Sequence, residues 1–225
     1  MYKRQTQYSL NYNADVYPTH GLGPVAVMTD INRGNRFVSL SSHASKSRGL
    51  HNYVEKVGGK DHPNAQLTFR LGDVITTTLT TERGETILIT HDTNLPRPYS
   101  LGFRVQGTSG LWEVDGNRIY LEDEMEAHKW SPDQPWLERY DHPLWQEFGT
   151  YASGAGHGGM DFFVLKAFVE AAKAGTAPPL DVYDAASWSA VTPLSGQSIA
   201  EGGSLQEFPD FTRGKWKDRS PYPWI

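Results

Sequence analysis

Two adjacent segments in the middle of the chain, Val74–Thr81 and 86–90, place the strongest constraint on its fold. Both consist entirely of Thr, Ile, Leu and Val, the residue types that favour pleated strands. The segment 82–85 between them contains a glycine and has the length of a hairpin connection. The pattern therefore predicts an antiparallel pair of strands rather than alternating strand–helix–strand units.

Three further short segments continue this strand pattern: 103–106, 110–114 and Arg118–Leu121. The dipeptide Asp115-Gly116 separates the last two. It predicts a tight turn in which Gly116 adopts a positive φ. We therefore expect at least five strands in one antiparallel meander.

Helical patterns lie on both sides of these strands. Apolar residues recur at helical spacing in the segments 21–32, 47–57, 160–173 and 184–191. Pro24 fits the first of these helices only if it lies in the first turn. Because the strands are consecutive and the helices flank them, the predicted fold class is α+β, an open, mainly antiparallel β-sheet with helices packed on one face.

Two segments lack a regular pattern. Residues 1–10 show neither a strand pattern nor a helix cap, so we expect a non-native or truncated start and a Met1 that is not the natural first residue. Residues 127–140 include Pro132 and Pro135, which remove backbone donors and predict a loop. We expect residues 11–225 to form a single domain.

The composition is that of an ordinary soluble globular domain and limits the functions of the chain. It has 225 residues, of which 38% are apolar and 21% charged. The net charge is −5 and no basic stripe is present, so we expect no nucleic-acid partner. The absence of cysteine excludes a thiolate metal site; we expect no metal site of any kind. No run reaches the roughly 18 apolar residues of a membrane span.

A glycine-rich segment, residues 154–159, matches the pattern of a dinucleotide-binding turn. Such a turn must follow a buried strand, but the preceding residues 145–151 are no β-branched run. Pro178 and Pro179 also occupy the place of the next strand. We therefore reject a cofactor fold here. The glycines still allow the backbone to approach a ligand closely, so that His157 could bind a polar ligand at the start of a helix. The alternative is that these residues only form the start of the helix, and both interpretations stay equally open.

The stretch 17–24, Tyr-Pro-Thr-His-Gly-Leu-Gly-Pro, contains the most chemically suggestive residues. Tyr17 and His20 stand three residues apart next to a predicted helix, and both side chains can exchange protons. The alternative is that Tyr17 packs against the protein and His20 merely precedes the helix. The residues alone favour that alternative.

Two other groups of side chains have a functional and a structural interpretation. A run of carboxylates could imitate the paired acids of a glycosidase, but neighbouring charges usually face solvent, so we reject that role. This run is Glu122, Asp123, Glu124 and Glu126. Indole rings can stack on sugars, although loops rich in Trp and Pro more often use them for packing. These indoles are Trp130, Trp136 and Trp145, and sugar stacking is the minority interpretation.

The stretch 17–24 resembles a hallmark of glycoside hydrolase family 109, within the Gfo/Idh/MocA oxidoreductase superfamily. Further segments resemble the family in the same order: 91–100, 105–108, 156–161 and 208–214. The similarity thus runs from about Asn11 through nearly the whole chain. By this resemblance the fold is that of the C-terminal domain of the superfamily, without its Rossmann domain.

The resemblance also implies the function of individual residues. The side chains implied to contact the sugar are Tyr17, Pro18, Thr19, His20, Tyr99 and, as a weaker inference, His157. Tyr17 and His20 are implied to be the catalytic proton-transfer groups. NAD is implied to be the cofactor, bound mainly by a preceding domain that has no counterpart in this sequence, so we expect the isolated chain to be inactive.

The implied reaction is retaining cleavage of terminal α-N-acetylgalactosamine from glycans, by transient oxidation at C3, elimination and addition of water. The alternatives are an NAD(P)-dependent sugar oxidoreductase on the same scaffold, and a noncatalytic domain that binds sugar or mediates assembly. An open sheet face also predicts a homo-oligomer. The family implies a bacterial enzyme; the compartment stays open, with periplasmic export as one alternative.

Overall fold

The computed structural model describes residues 3–222, with side chains from residue 6 onwards. The chain divides into two compact units. The first unit runs up to Arg97 and resumes at Pro179, and the second covers Pro98–Pro178. The expectation of a single domain over residues 11–225 stays a prediction.

The helices, in chain order, are α1 (Lys3–Asn11), α2 (Thr19–Met28), α3 (Gly49–Gly58), α4 (Gln134–Arg139), α5 (Pro143–Ala152), α6 (Met160–Ala174), α7 (Val182–Ser189) and α8 (Val191–Ala200). The strands are β1 (Phe37–Ala44), β2 (Val74–Thr81), β3 (Thr86–Asp92), β4 (Arg104–Gln106), β5 (Gly110–Glu113), β6 (Arg118–Leu121), β7 (Ser131–Pro132) and β8 (Gln206–Glu207). Within residues 3–222, no helix is both long and apolar enough to span a bilayer.

The first unit is built on an antiparallel sheet in the order β3-β2-β1-β8. Alternate residues of β2 are buried, as expected for a strand with one covered face. Helices α2 and α8 contribute to the core on that face, where Leu40 of β1 pairs with Leu79 of β2. The buried core residues are Leu22, Ala26, Ile31, Phe37, Leu40, Leu79, Ile87, Val191 and Phe208.

The second unit contains a smaller antiparallel sheet in the order β4-β5-β6-β7, together with α4, α5 and α6. Trp145 of α5 packs edge-on against Phe163 of α6, with ring centroids 4.6 Å apart. The predicted α+β class with open antiparallel sheets is confirmed. The prediction of one meander is wrong, because β3 and β4 belong to different sheets. Between them Pro96 and Pro98 cannot donate to a ladder.

Several predicted helices are confirmed, with shifted ends. Segments 21–32, 47–57 and 160–173 correspond to α2, α3 and α6. The segment 184–191 becomes α7, which begins earlier because Asp181 and Asp184 form a capping box. Strand β1 and helices α5 and α8 were not predicted.

Residues 3–10 belong to α1, although the sequence shows no helix cap there, and the Ser9 carbonyl accepts the backbone N–H groups of Arg70 and Leu71 at 2.9 and 3.0 Å. That the start is non-native or truncated stays a prediction. Two local predictions are wrong. Gly116 ends a short 3₁₀ helix, and Asn117 takes the left-handed φ of 46° instead. The predicted loop 127–140 contains β7 and α4, because Pro135 lies in the first turn of α4, where no backbone donor is needed.

Candidate functional site

Tyr17 and His20 lie side by side at the start of α2. The Tyr17 hydroxyl oxygen is 3.3 Å from Nε2 of His20, and the two rings stack with centroids 4.4 Å apart. Both side chains are exposed. A phenol and an imidazole at this distance can exchange a proton with each other and with a bound ligand. The structure therefore brings together the two predicted catalytic residues.

The position of His20 in the first helical turn follows from where α2 begins. The helix starts at Thr19, directly after the buried Pro18, so His20 lies in the first turn. Pro24 lies in the second turn rather than the first, contrary to the sequence-based expectation. Because proline has no N–H, the carbonyl of His20, four residues earlier, receives no helical hydrogen bond from it.

The opposite side of α2 is fixed to the core. Leu22 and Ala26 are fully buried. Gly23 lies against Trp188 of α7, and a Cβ atom at Gly23 would stand 3.4 Å from the indole. This packing leaves His20 on the exposed side of α2, and Tyr17 is exposed just before the helix.

Asp15 holds the segment that precedes α2. Its side chain has 0% exposure, and its Oδ1 accepts the backbone N–H of Tyr17 at 3.1 Å. The backbone N–H of Asp15 donates to Oγ of Ser195 in α8 at 2.9 Å. Burial raises the pKa of Asp15, against the opposing effects of the Tyr17 N–H and of His91. Sequence reasoning did not single out Asp15, which anchors the candidate site through the Tyr17 N–H.

His91 is a second buried titratable group near this segment. It lies on β3 opposite the buried Ile75 of β2. Burial lowers the pKa of His91, while the carboxylates of Asp15 and Asp92 oppose the shift. Within the described residues, neither Nδ1 of His91 nor Oδ2 of Asp15 has a hydrogen-bond partner. Sequence reasoning included His91 only as part of a family segment.

Tyr99 belongs to the second unit, and its side chain is 90% exposed. Asp115 orders the loop around it: the Ser100 hydroxyl donates to Asp115 Oδ2 at 2.6 Å, and the Gly102 N–H donates to Oδ1 at 3.4 Å. Asp115 was predicted only as a turn residue. The role of Tyr99 in sugar binding stays a prediction.

His157 also belongs to the second unit, in the short 3₁₀ helix that precedes α6. Its φ is 53°, and its Nδ1 lies 2.8 and 3.0 Å from the two carboxylate oxygens of Asp161. Because Asp161 engages Nδ1, Nε2 is the ring nitrogen left for other contacts. The side chain is exposed, and its role in sugar binding stays a prediction.

Comparison with known proteins identifies the family. A model of the domain described as "Glycosyl hydrolase 109, C-terminal domain" matches residues 2–218. The chain belongs to glycosyl hydrolase family 109. The predicted resemblance to this family is therefore confirmed.

Several curated relatives of this family 109 chain are similar over 96% of its length. An "Alpha-N-acetylgalactosaminidase" of Tannerella forsythia is 52% identical over 217 residues, 46% of that protein. A "Glycosyl hydrolase family 109 protein" of Stenotrophomonas maltophilia is 54% identical over 218 residues, 48% of its length. One of Parabacteroides distasonis is 51% identical over 217 residues, 47% of its length. The family 109 chain thus spans about half the length of these relatives.

The glycine-rich segment 154–159 of the family 109 chain does not fit a nucleotide. It follows helix α5, not a strand, so it lacks the strand that aims helix N–H groups at a pyrophosphate. Over residues 3–222, no group of three or more His, Asp or Glu side chains could hold a metal ion.

The remaining candidates in the family 109 chain are the carboxylates of the segment 122–126 and the tryptophans, and their contacts are with other side chains of the chain. The carboxylate run 122–126 is exposed, and Glu126 pairs with Lys129 at 2.6 Å. Trp136 stacks parallel to Tyr140 with centroids 6.2 Å apart. Trp130 is exposed, and the guanidinium of Arg118 lies over its ring.

Proposed function

We propose that this chain is the sugar-binding and catalytic half of a glycosidase that removes terminal α-N-acetylgalactosamine. Its membership of family 109 and the name of the Tannerella forsythia relative support the substrate. The contact between Tyr17 and His20 is the observation that supports a catalytic role. Contact of the sugar with Pro18, Thr19, Tyr99 and His157 is proposed from the family resemblance alone; Pro18 is buried in the first unit, and Tyr99 and His157 belong to the second.

We infer that NAD is the cofactor and that a domain outside this chain holds most of it. When bound, NAD would take a hydride from the sugar and return it later, so that the reaction causes no net oxidation. The described residues contribute no nucleotide-binding turn. Their proposed part is to bind the sugar and move its protons.

Tyr17 and His20 are suited to those proton transfers. Oxidation at a sugar carbon requires that the proton of its hydroxyl group leave and later return, and elimination requires that the neighbouring carbon lose a proton. The phenol and the imidazole stand at hydrogen-bond distance, so a proton taken by one can pass to the other. Because both rings are exposed at one end of α2, a sugar can reach them.

A chimaera tests this proposal. Residues 2–218 would replace the matching part of the Tannerella forsythia relative, and the product would be given an aryl α-N-acetylgalactosaminide together with NAD. Release of free sugar without accumulation of NADH is the expected result. The control is the Tannerella forsythia relative from which the matching part has been removed and not replaced. Accumulation of NADH would instead indicate a sugar oxidoreductase, and binding without turnover would indicate a noncatalytic domain.

We also propose that the outer face of the larger sheet supports a homo-oligomer. On this face Thr78 of β2 pairs with Ser41 of β1 and with Leu88 of β3, and Leu88 is exposed. Light scattering of the purified chain would test this. Conversion of an oligomer to a monomer by Leu88→Glu is expected, and a chain that is already monomeric would contradict the proposal.

A further inference from the structure

A small cavity lies on one face of the sheet in the second unit. Leu111 of β5 is paired with Tyr120 of β6, so their side chains lie on the same face. These two residues line a cavity of about 320 Å³ together with the segment 128–130. Its volume lies at the small end of the range of ligand pockets, about 300–1,000 Å³. We call it the Trp130 cavity.

The indole of Trp130 packs against the side chain of Arg118. The guanidinium carbon of Arg118 lies 4.2 Å from the ring centroid, as in a cation–π contact. Arg118 is in turn held by Glu113, whose Oε2 accepts its Nε–H and an Nη2–H at 3.0 and 2.7 Å. Trp130 remains 42% exposed. An exposed aromatic ring that is already packed on one neighbour loses less conformational entropy than a free one when a ligand stacks on it.

The polar groups of the cavity favour a neutral ligand. Lys129 lines the cavity, but its Nζ pairs with Glu126 at 2.6 Å. Arg118 pairs with Glu113. Because each of these cations has a carboxylate partner, little positive charge is left to attract a phosphate. The ammonium of Lys129 and the imidazole of His128 can still form hydrogen bonds with hydroxyl groups.

We propose that the Trp130 cavity binds a neutral pyranose ring stacked on the indole. A pyranose offers a C–H face that packs on an aromatic ring and a rim of hydroxyl groups for Lys129 and His128. This combination matches a cavity that is lined by Leu111 and aromatic rings together with Lys129 and His128. The proposal concerns binding by the second unit and requires no turnover.

The test uses the 225-residue chain with its indole N–H groups labelled for NMR. N-acetylgalactosamine is titrated and the Trp130 indole signal is followed. We expect that signal to shift with a millimolar Kd, the range for one small sugar. In a Trp130→Ala variant, sugar binding measured at the other shifting signals of the second unit should weaken by about tenfold or more. Trp130→Phe should keep most of the binding.

Trp136→Ala is the matched control, since its indole stacks on Tyr140 and does not line the cavity. It should leave the Kd unchanged. Tyr17→Ala should also leave the shift of Trp130 unchanged, which separates this proposal from the catalytic one. A Trp130 signal that stays still at saturating sugar, or equal losses in Trp130→Ala and Trp136→Ala, would overturn the proposal. So would a response to inorganic phosphate instead of sugar.

Discussion

The carboxylate of Asp15, which has 0% exposure, accepts the backbone N–H of Tyr17 at 3.1 Å. This bond ties the residue that carries the proposed catalytic phenol to the interior of the first unit. Through its own N–H, Asp15 is also attached to Ser195 in α8. The position of Tyr17 therefore depends on a helix far away in the sequence.

Replacement of Asp15 tests this anchor. Asp15→Ala removes the acceptor and leaves the Tyr17 N–H unpaired, so the free energy of unfolding should fall by about 1–3 kcal/mol. Urea denaturation of the chain measures the change. Asp15→Asn keeps an oxygen acceptor and should cost less. Equal stability of the wild-type chain and Asp15→Ala would show that the bond contributes nothing.

The buried imidazole of His91 predicts a pH dependence of stability. Its pKa in the folded chain lies below the ordinary value of 6.5. As the pH falls through 6.5, the unfolded chain therefore binds a proton before the folded chain does, and the folded state loses stability. The raised pKa of Asp15 acts in the opposite sense, because its protonation favours the folded state at lower pH.

His91→Gln should remove the contribution of the imidazole. Below pH 6.5, its free energy of unfolding should fall less steeply with falling pH than that of the wild-type chain, by up to about 1.4 kcal/mol per pH unit. Denaturation at a series of pH values gives both slopes. Parallel curves would mean that His91 takes up its proton equally in both states.

A buried ion pair connects the N-terminal part of the first unit to the part of that unit that begins at Pro179. Arg33 donates to Oδ1 of Asp184 at 2.9 Å, and both side chains are nearly inaccessible. The hydroxyl of Tyr222 donates to the same carboxylate at 3.2 Å, and the Arg33 guanidinium lies 3.9 Å from the Tyr222 ring centroid. Burial and the nearby Asp184 carboxylate raise the pKa of Tyr222.

Asp184→Ala should therefore destabilise the chain strongly. The change removes the nearer carboxylate partner of the buried Arg33 charge and leaves only Asp181, at 3.9 Å, so a loss of about 3 kcal/mol is expected. Glu82→Ala is the control: it breaks the more exposed pair with Arg36 and should cost less than about 1 kcal/mol. Chemical denaturation compares the two variants, and similar small losses in both would contradict the assigned role of Asp184.

The elements that the sequence predicted well are those with a strong local pattern. The β2–β3 hairpin and helix α6 follow directly from Thr-rich strands and helical spacing. Strand β1 contains several serines and a histidine, and it becomes a strand through pairing with β2 and β8. Such long-range pairing leaves no local signal.

The residues of the candidate site likewise divide into those that the sequence identifies locally and those that only the fold reveals. Tyr17 and His20 stood out by residue type and spacing, but only the family resemblance predicted a catalytic role for them; their rings lie together at the start of α2. Asp15 and His91 could not be assigned a role in the same way. Their importance comes from burial, which is set for Asp15 by contact with Ser195, 180 residues away.

The most direct test of the catalytic account is the turnover of the chimaera with and without the Tyr17 hydroxyl. Tyr17→Phe keeps the ring that stacks on His20 but removes the proton-transfer group. We predict that it lowers kcat by about 10²–10⁴-fold, the usual contribution of general acid–base catalysis, while NAD still binds and the fold is retained. Unchanged turnover in Tyr17→Phe would contradict the catalytic role of the Tyr17–His20 pair.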